Sequence, residues 1–249
     1  ESQFTMKIKT WLLALSMAIA PSATAHPAFH PHHHSQDSVQ NITTFAHHHT
    51  ADDVEPFSMG AMGCMLLQEC TEGVDKVVSM LDIASEYPDT DYMPVTQEFN
   101  YMVTILSDIG VNVYLADEKW FPVGHRGVYH TVGNNFFLNR AFMGKTSTLM
   151  SVMRHEGWHA AQDCMAGTID NSFIAIIMPE DTVPMIWREL AERTYPKSAL
   201  PWEAEASWAG RTESMTANAF NACAAGEMWN EYEPTPLTRK FLVEKGYIE

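Results

Sequence analysis

Positive charge is scarce in this chain: Lys and Arg total 15 against 31 Asp and Glu, for a formal net charge of -16. A surface that tracks nucleic-acid phosphates would have to be built against that field, so nucleic acid is not an expected partner. Long apolar runs are missing too. The run at residues 11–20 is short for a bilayer span, and no later segment is long and apolar enough, so stable membrane insertion is not expected. Cysteine is sparse, limited to Cys64, Cys70, Cys164 and Cys223, and no internal repeat is evident. What remains is a chain of 249 residues, 46% of them hydrophobic, enough for one globular domain with a true core.

The first residues read as an export signal. Met6-Lys7-Ile8-Lys9 gives a basic start, the apolar run follows, and Ala23-Thr24-Ala25 supplies the small-x-small pattern that precedes cleavage. The expected organisation is an upstream extension and signal peptide at residues 1–25, a His-rich arm at 26–56 and a single domain at 57–249. The expected location is periplasmic or secreted. In an exported chain an even number of cysteines favours disulfides. Three pairings are open. We favour Cys64 with Cys70 and Cys164 with Cys223, because the second bridge would tie together two of the helices that spacing predicts, over 147–164 and 202–226. A Cys64–Cys70 bridge requires a helix break, since six residues on one unbroken helix rise by about 9 Å.

Residues 26–56 are rich in His, Ser, Thr, Asp and Pro and show no apolar periodicity. The clumps His30 with His32 to His34, and His47 to His49, can collect zinc or copper loosely but offer no fixed geometry. Beyond them, apolar spacing predicts two short helices over residues 59–84, interrupted near 70–73, and a third over 95–109 that stops at Gly110. The period then changes to that of strands at residues 111–115, 127–132 and 135–140, with Gly133-Asn134 as a hairpin turn. Helices return at 147–164, 183–193 and 202–226. The expected fold class is α+β: mostly helical, with a short three-stranded sheet ahead of the helix at 147–164.

That helix carries Arg154-His155-Glu156-Gly157-Trp158-His159. His155 and His159, four apart, present their imidazoles on one face and can bind one metal through neutral nitrogens. Glu156 lies beside them, where its carboxylate can reach a water at the metal without occupying it, as a general base in peptide hydrolysis requires.

At this point the sequence resembles the zincin metallopeptidases, and among them the gluzincins, whose third ligand is a Glu on a later helix. The nearest likeness is to families with a second motif of the form Glu-x-x-Ala-Asp or Glu-x-Glu-Ala-Asp, including the prenyl-protein protease type and small single-domain relatives. Here that stretch is Glu203-Ala204-Glu205-Ala206-Ser207, with Ser207 in place of the usual Asp and one carboxylate fewer. The likeness spans roughly residues 127–225. It implies a small zincin-like domain, one catalytic zinc ion, a peptide or protein substrate, and Glu203 as third ligand. Only one of the two acids can serve, because residues two apart on a helix point about 200° apart. Glu205 is the fallback, and both acids also suit a solvated helix start. A metzincin pattern would need a further ligand such as His, and no His follows His159.

Other residues are assigned by spacing alone. Asp163, four after His159, can orient a ligand imidazole or simply sit near the helix end. Arg211 shares a helical face with Glu203 and Ser207, as a clamp for a substrate carboxylate or in a surface ion pair. Tyr195 and His130 are candidate donors to an oxyanion, with nothing in the spacing to select either. The segment at 135–139 occupies the place of the strand that lines the cleft in zincins, although Phe136 and Leu138 suit the core. Two competing functions stay open: a metal-binding protein whose arm captures zinc, and an inactive zincin-like binding module.

Overall fold

The computed structural model describes residues 59–249, so the signal peptide and His-rich arm expected before them lie outside the described residues. Its α+β architecture is mostly helical. Helix α1 (Met59–Leu66) leads to strand β1 (Val74–Val77), the short α2 (Met80–Ala84) and α3 (Met93–Asp108). Strands β2 (Asn112–Ala116), β3 (Gly127–His130) and β4 (Asn135–Asn139) complete a mixed sheet ahead of α4 (Thr146–Met165), the helix that bears His155 and His159. Helices α5 (Met185–Thr194), α6 (Leu200–Ala209), α7 (Met215–Ala224), α8 (Met228–Glu231) and α9 (Pro236–Glu244) follow.

The sheet has four strands in the order β1-β2-β4-β3, with β2 and β4 parallel and the outer pairs antiparallel. Alternate side chains of β4 serve two cores. Phe136 and Leu138 join Val113, Leu115 and Tyr129 in the cluster that includes residues of α3 and α4, whereas Phe137 joins Val128, Trp120, Phe121 and the α1 residues Met62 and Met65. The place of β4 between β2 and β3 corrects the expectation that 135–139 is the strand lining a cleft: β4 is interior, and the edges of the sheet are β1 and β3. The hairpin between β3 and β4 turns at Asn134, whose φ of 51° lies in the left-handed region that Asn tolerates.

Two further expectations change. The second short helix over residues 59–84 is in part a strand, because Val74 to Val77 pairs with β2 from Val74↔Ala116 to Val77↔Val113 while Asp75 and Lys76 face solvent. The helix expected at 202–226 is two helices. At Gly210 the backbone presses on α4, where an added Cβ would come within 3.1 Å of both His155 Cβ and the Ser151 carbonyl, and the chain turns away. It reaches α7 through Ser214, whose φ is 65°. Cys164–Cys223 therefore joins α4 to α7, with a Cα separation of 6.0 Å, and not to the helix that carries Glu203. Cys64–Cys70 forms because α1 ends at Leu66 and the chain reverses near Gln68, bringing the Cα atoms to 5.3 Å. Both pairings match the favoured set and suit an oxidising compartment. No helix among the described residues is long and apolar enough to cross a membrane.

Helix α4 lies in the middle of the domain because its own sequence lets neighbours close in. Gly157 costs intrinsic helix propensity, about 1 kcal/mol relative to Ala. A Cβ there would meet Phe220 at 2.8 Å and Thr216 at 3.0 Å, so the glycine is what allows α7 to approach. Thr216 then donates to the Arg154 carbonyl at 2.8 Å, and the Arg154 guanidinium forks onto Glu98 of α3 at 2.6 and 2.7 Å.

Candidate metal centre

One turn of α4 separates His155 from His159 and brings their Nε2 atoms to 3.4 Å. Helix α6, whose small residues Ala206 and Ala209 are fully buried, packs against α4. That approach sets Glu203 Oε2 at 3.2 Å from His155 Nε2 and 3.6 Å from His159 Nε2. Four-coordinate zinc with bonds of 2.0–2.1 Å needs donors about 3.3 Å apart at tetrahedral angles. The three atoms meet that spacing. All three residues are buried, and Glu203 Oε2 finds no hydrogen-bond partner among the described residues despite two nearby ring nitrogens. Donors that converge on a point, and not along each other's hydrogen-bond axes, fit a shared cation. His155, His159 and Glu203 thus form a buried group that could hold a metal ion.

The electrostatics point the same way. Burial alone would drive Glu203 up and His159 down, but their mutual attraction, with His155 adding to it, outweighs burial. Glu203 is held down at about 2 and His159 is raised. The cavity selects positive charge, either a proton on an imidazole or a cation that three donors share.

The support for these donors differs from the spacing-based assignment. Gln162, not Asp163, orients His159: its Oε1 lies 2.6 Å from His159 Nδ1. Gln162 Nε2 donates to Glu205 Oε1 at 2.6 Å and to the Trp202 carbonyl at 3.1 Å, which fixes the amide and makes Nδ1 the protonated ring nitrogen. His159 Nε2 is left as the lone-pair donor. Glu205 is no alternative ligand. Its carboxylate is occupied by Gln162 and by the backbone N–H groups of Ile177 and Met178, so it pins the loop after α4. Burial nevertheless pushes its pKa up to about 7.

Glu156 lies wholly inside, and its Oε2 accepts the Tyr129 backbone N–H at 3.0 Å. The strand reaches it because Gly127 has no side chain: a Cβ would come within 2.5 Å of Val152 and 3.2 Å of Glu156. The Tyr129 hydroxyl donates to Asp163 Oδ2 at 2.8 Å. His130, one residue on, serves the opposite face and meets the Leu66 backbone, which removes it as an oxyanion donor. Tyr195 does reach the site, its ring facing that of His155 at 6.4 Å between centroids. Arg211 is exposed, lies beyond the end of α6 and pairs with no carboxylate among the described residues, contrary to the surface ion pair expected for it. Gln162, Tyr129, Gly127 and Gly210 were not foreseen. Helical spacing of three from His159 was the available signal for Gln162.

Burial, helped by the charge of Asp170 and opposed by the Tyr129 hydrogen bond, raises Asp163 from 3.8 to about 8. The folded state keeps a proton that the unfolded chain has already released. Stability from this group is full below 3.8 and is lost as pH rises to about 8. Asp163→Asn cannot ionise, so urea midpoints measured between pH 5 and 9 should decline less steeply for the variant. Parallel declines would refute the assignment.

No family model, curated protein or solved structure matches the chain.

Proposed function

We propose that this protein is an exported zinc-dependent metallopeptidase of the zincin type, with His155, His159 and Glu203 as ligands and Glu156 as general base. The carrying observation is the buried triangle of donors with a carboxylate one residue along the same helix. The chemistry that zinc supplies in a site with three protein ligands is Lewis acidity, which acidifies a water and polarises a carbonyl. The protein's residues do the rest. Glu156 takes the proton of the attacking water and passes it to the departing amine. The Tyr129 N–H holds its carboxylate in place. Tyr195, beside His155, is the donor assigned to the developing oxyanion. Gln162 keeps His159 in the tautomer that offers Nε2. The substrate is a peptide or protein, met in the periplasm or outside the cell, and the disulfides support that location.

Zinc content by mass spectrometry tests the reading. The mature chain, with or without residues 26–56, should carry at least one zinc, and the armless form should carry one per chain. His159→Ala and Glu203→Ala should each abolish it in that form. An armless chain without zinc would overturn the catalytic reading and transfer metal binding to the His-rich arm.

A further inference from the structure

Two glycines bring two arginines to the same stretch of α4. Gly127 lies against Val152 and Glu156, and Gly210 lies against Ser151 and His155. Arg126 immediately precedes the first and Arg211 immediately follows the second. The backbone just before β3 and the backbone at the end of α6 therefore flank the stretch of α4 that bears His155 and Glu156, each with an arginine at its margin. Burial, and after it the charge of Arg211, lowers the pKa of Arg126.

Arg126 is half-buried and Arg211 is exposed, so solvent screens part of their repulsion, and an anion between them would relieve the rest. The chain has 31 Asp and Glu, yet among the described residues none pairs with Arg126 or Arg211. The other unusual arginine shows the contrast: Arg140 is held by Asp75, Glu86 and Asp117 together. Arg126 is instead steadied by a ring, its guanidinium carbon 5.3 Å from the Phe142 centroid. Stacking of this kind fixes the plane of the fork and leaves its N–H edge for a carboxylate.

We propose that Arg126 and Arg211 form the specificity rim of the site and select peptides that present a carboxylate next to the scissile bond. The inference rests on the peptidase reading. The carboxylate has two sources, an Asp or Glu side chain or a free C-terminus, and the shared chemistry is a bidentate, charge-assisted pair with guanidinium. Selection must be local, since a net charge of -16 repels an anionic peptide at long range.

The test measures kcat/KM of the zinc-loaded full mature chain on a peptide set: one with an internal Glu, the same with Gln, one with a free C-terminus and the same amidated. Binding of each to Glu156→Gln is measured in parallel by calorimetry. One member of a matched pair should be favoured roughly 10- to 100-fold, mainly through KM, and the favoured pair identifies the source. In Arg126→Gln/Arg211→Gln that ratio should fall towards one, while Arg126→Lys/Arg211→Lys should keep part of it. Zinc content of one per armless chain of each variant verifies an intact site. Cleavage with no preference for carboxylate, or a preference that survives the Gln variant, overturns the proposal alone. No cleavage of any peptide overturns the peptidase reading and this inference with it.

Discussion

Glu156→Gln should lower kcat by about 10²- to 10⁴-fold and leave one zinc per armless chain. The substitution keeps the volume of a side chain that is fully buried, and an amide oxygen can still accept the Tyr129 N–H. What it loses is basicity. Because Glu156 belongs to no ligand set among the described residues, the donor triangle of His155, His159 and Glu203 should persist unchanged. The two readouts together separate three outcomes. Zinc retained with hydrolysis lost supports the general-base assignment. Hydrolysis unchanged would transfer the proton to another group. A wild type that holds zinc but cleaves nothing would make the protein a metal-binding module.

The second large effect concerns the Cys164–Cys223 bridge. Removing both thiols, as Cys164→Ala/Cys223→Ala, should cost about 4 kcal/mol of unfolding free energy, because the bridge spans a sequence separation of 59 residues. The closed loop contains α5, α6 and Glu203, so the unfolded chain gains much freedom when it opens. Cys64–Cys70, with a separation of six, should contribute only about 2 kcal/mol by the same reasoning. Urea unfolding of both double variants gives the comparison. If the long bridge proves no more stabilising than the short one, packing at Gly157, Phe220 and Thr216 holds α4 to α7 without it.

The parts of the site that spacing made legible were those on one regular element. His155, Glu156 and His159 belong to a single helix whose period is visible, and α3 shows its stop at Gly110. What escaped depended on other elements. β1 was hidden because Asp75 and Lys76, both exposed, spoil any alternation in a four-residue strand. The break at residues 210–214 has no proline, and its polar residues read as an exposed helical face. Its cause is the approach to α4, which only tertiary structure reveals. The partners of Glu205 and Asp163 are hidden for a similar reason. Each carboxylate finds a partner distant in sequence, Ile177 with Met178 for one and Tyr129 for the other. α9 falls outside the helices expected from spacing, although Thr235 and Pro236 form an ordinary helix start.

Tyr129 touches α4 at two places, through its backbone at Glu156 and through its phenol at Asp163. Seven residues part these points, two turns of helix or about 10.5 Å along the axis. A single attachment would be a pivot; two attachments that far apart stop the helix from both sliding and swivelling against the sheet. The aim of Glu156 is thereby inherited from a strand, and its own rotamer has little freedom to set it. Anyone grafting this helix onto another scaffold would carry over His155 and His159 but leave behind the part that points the carboxylate.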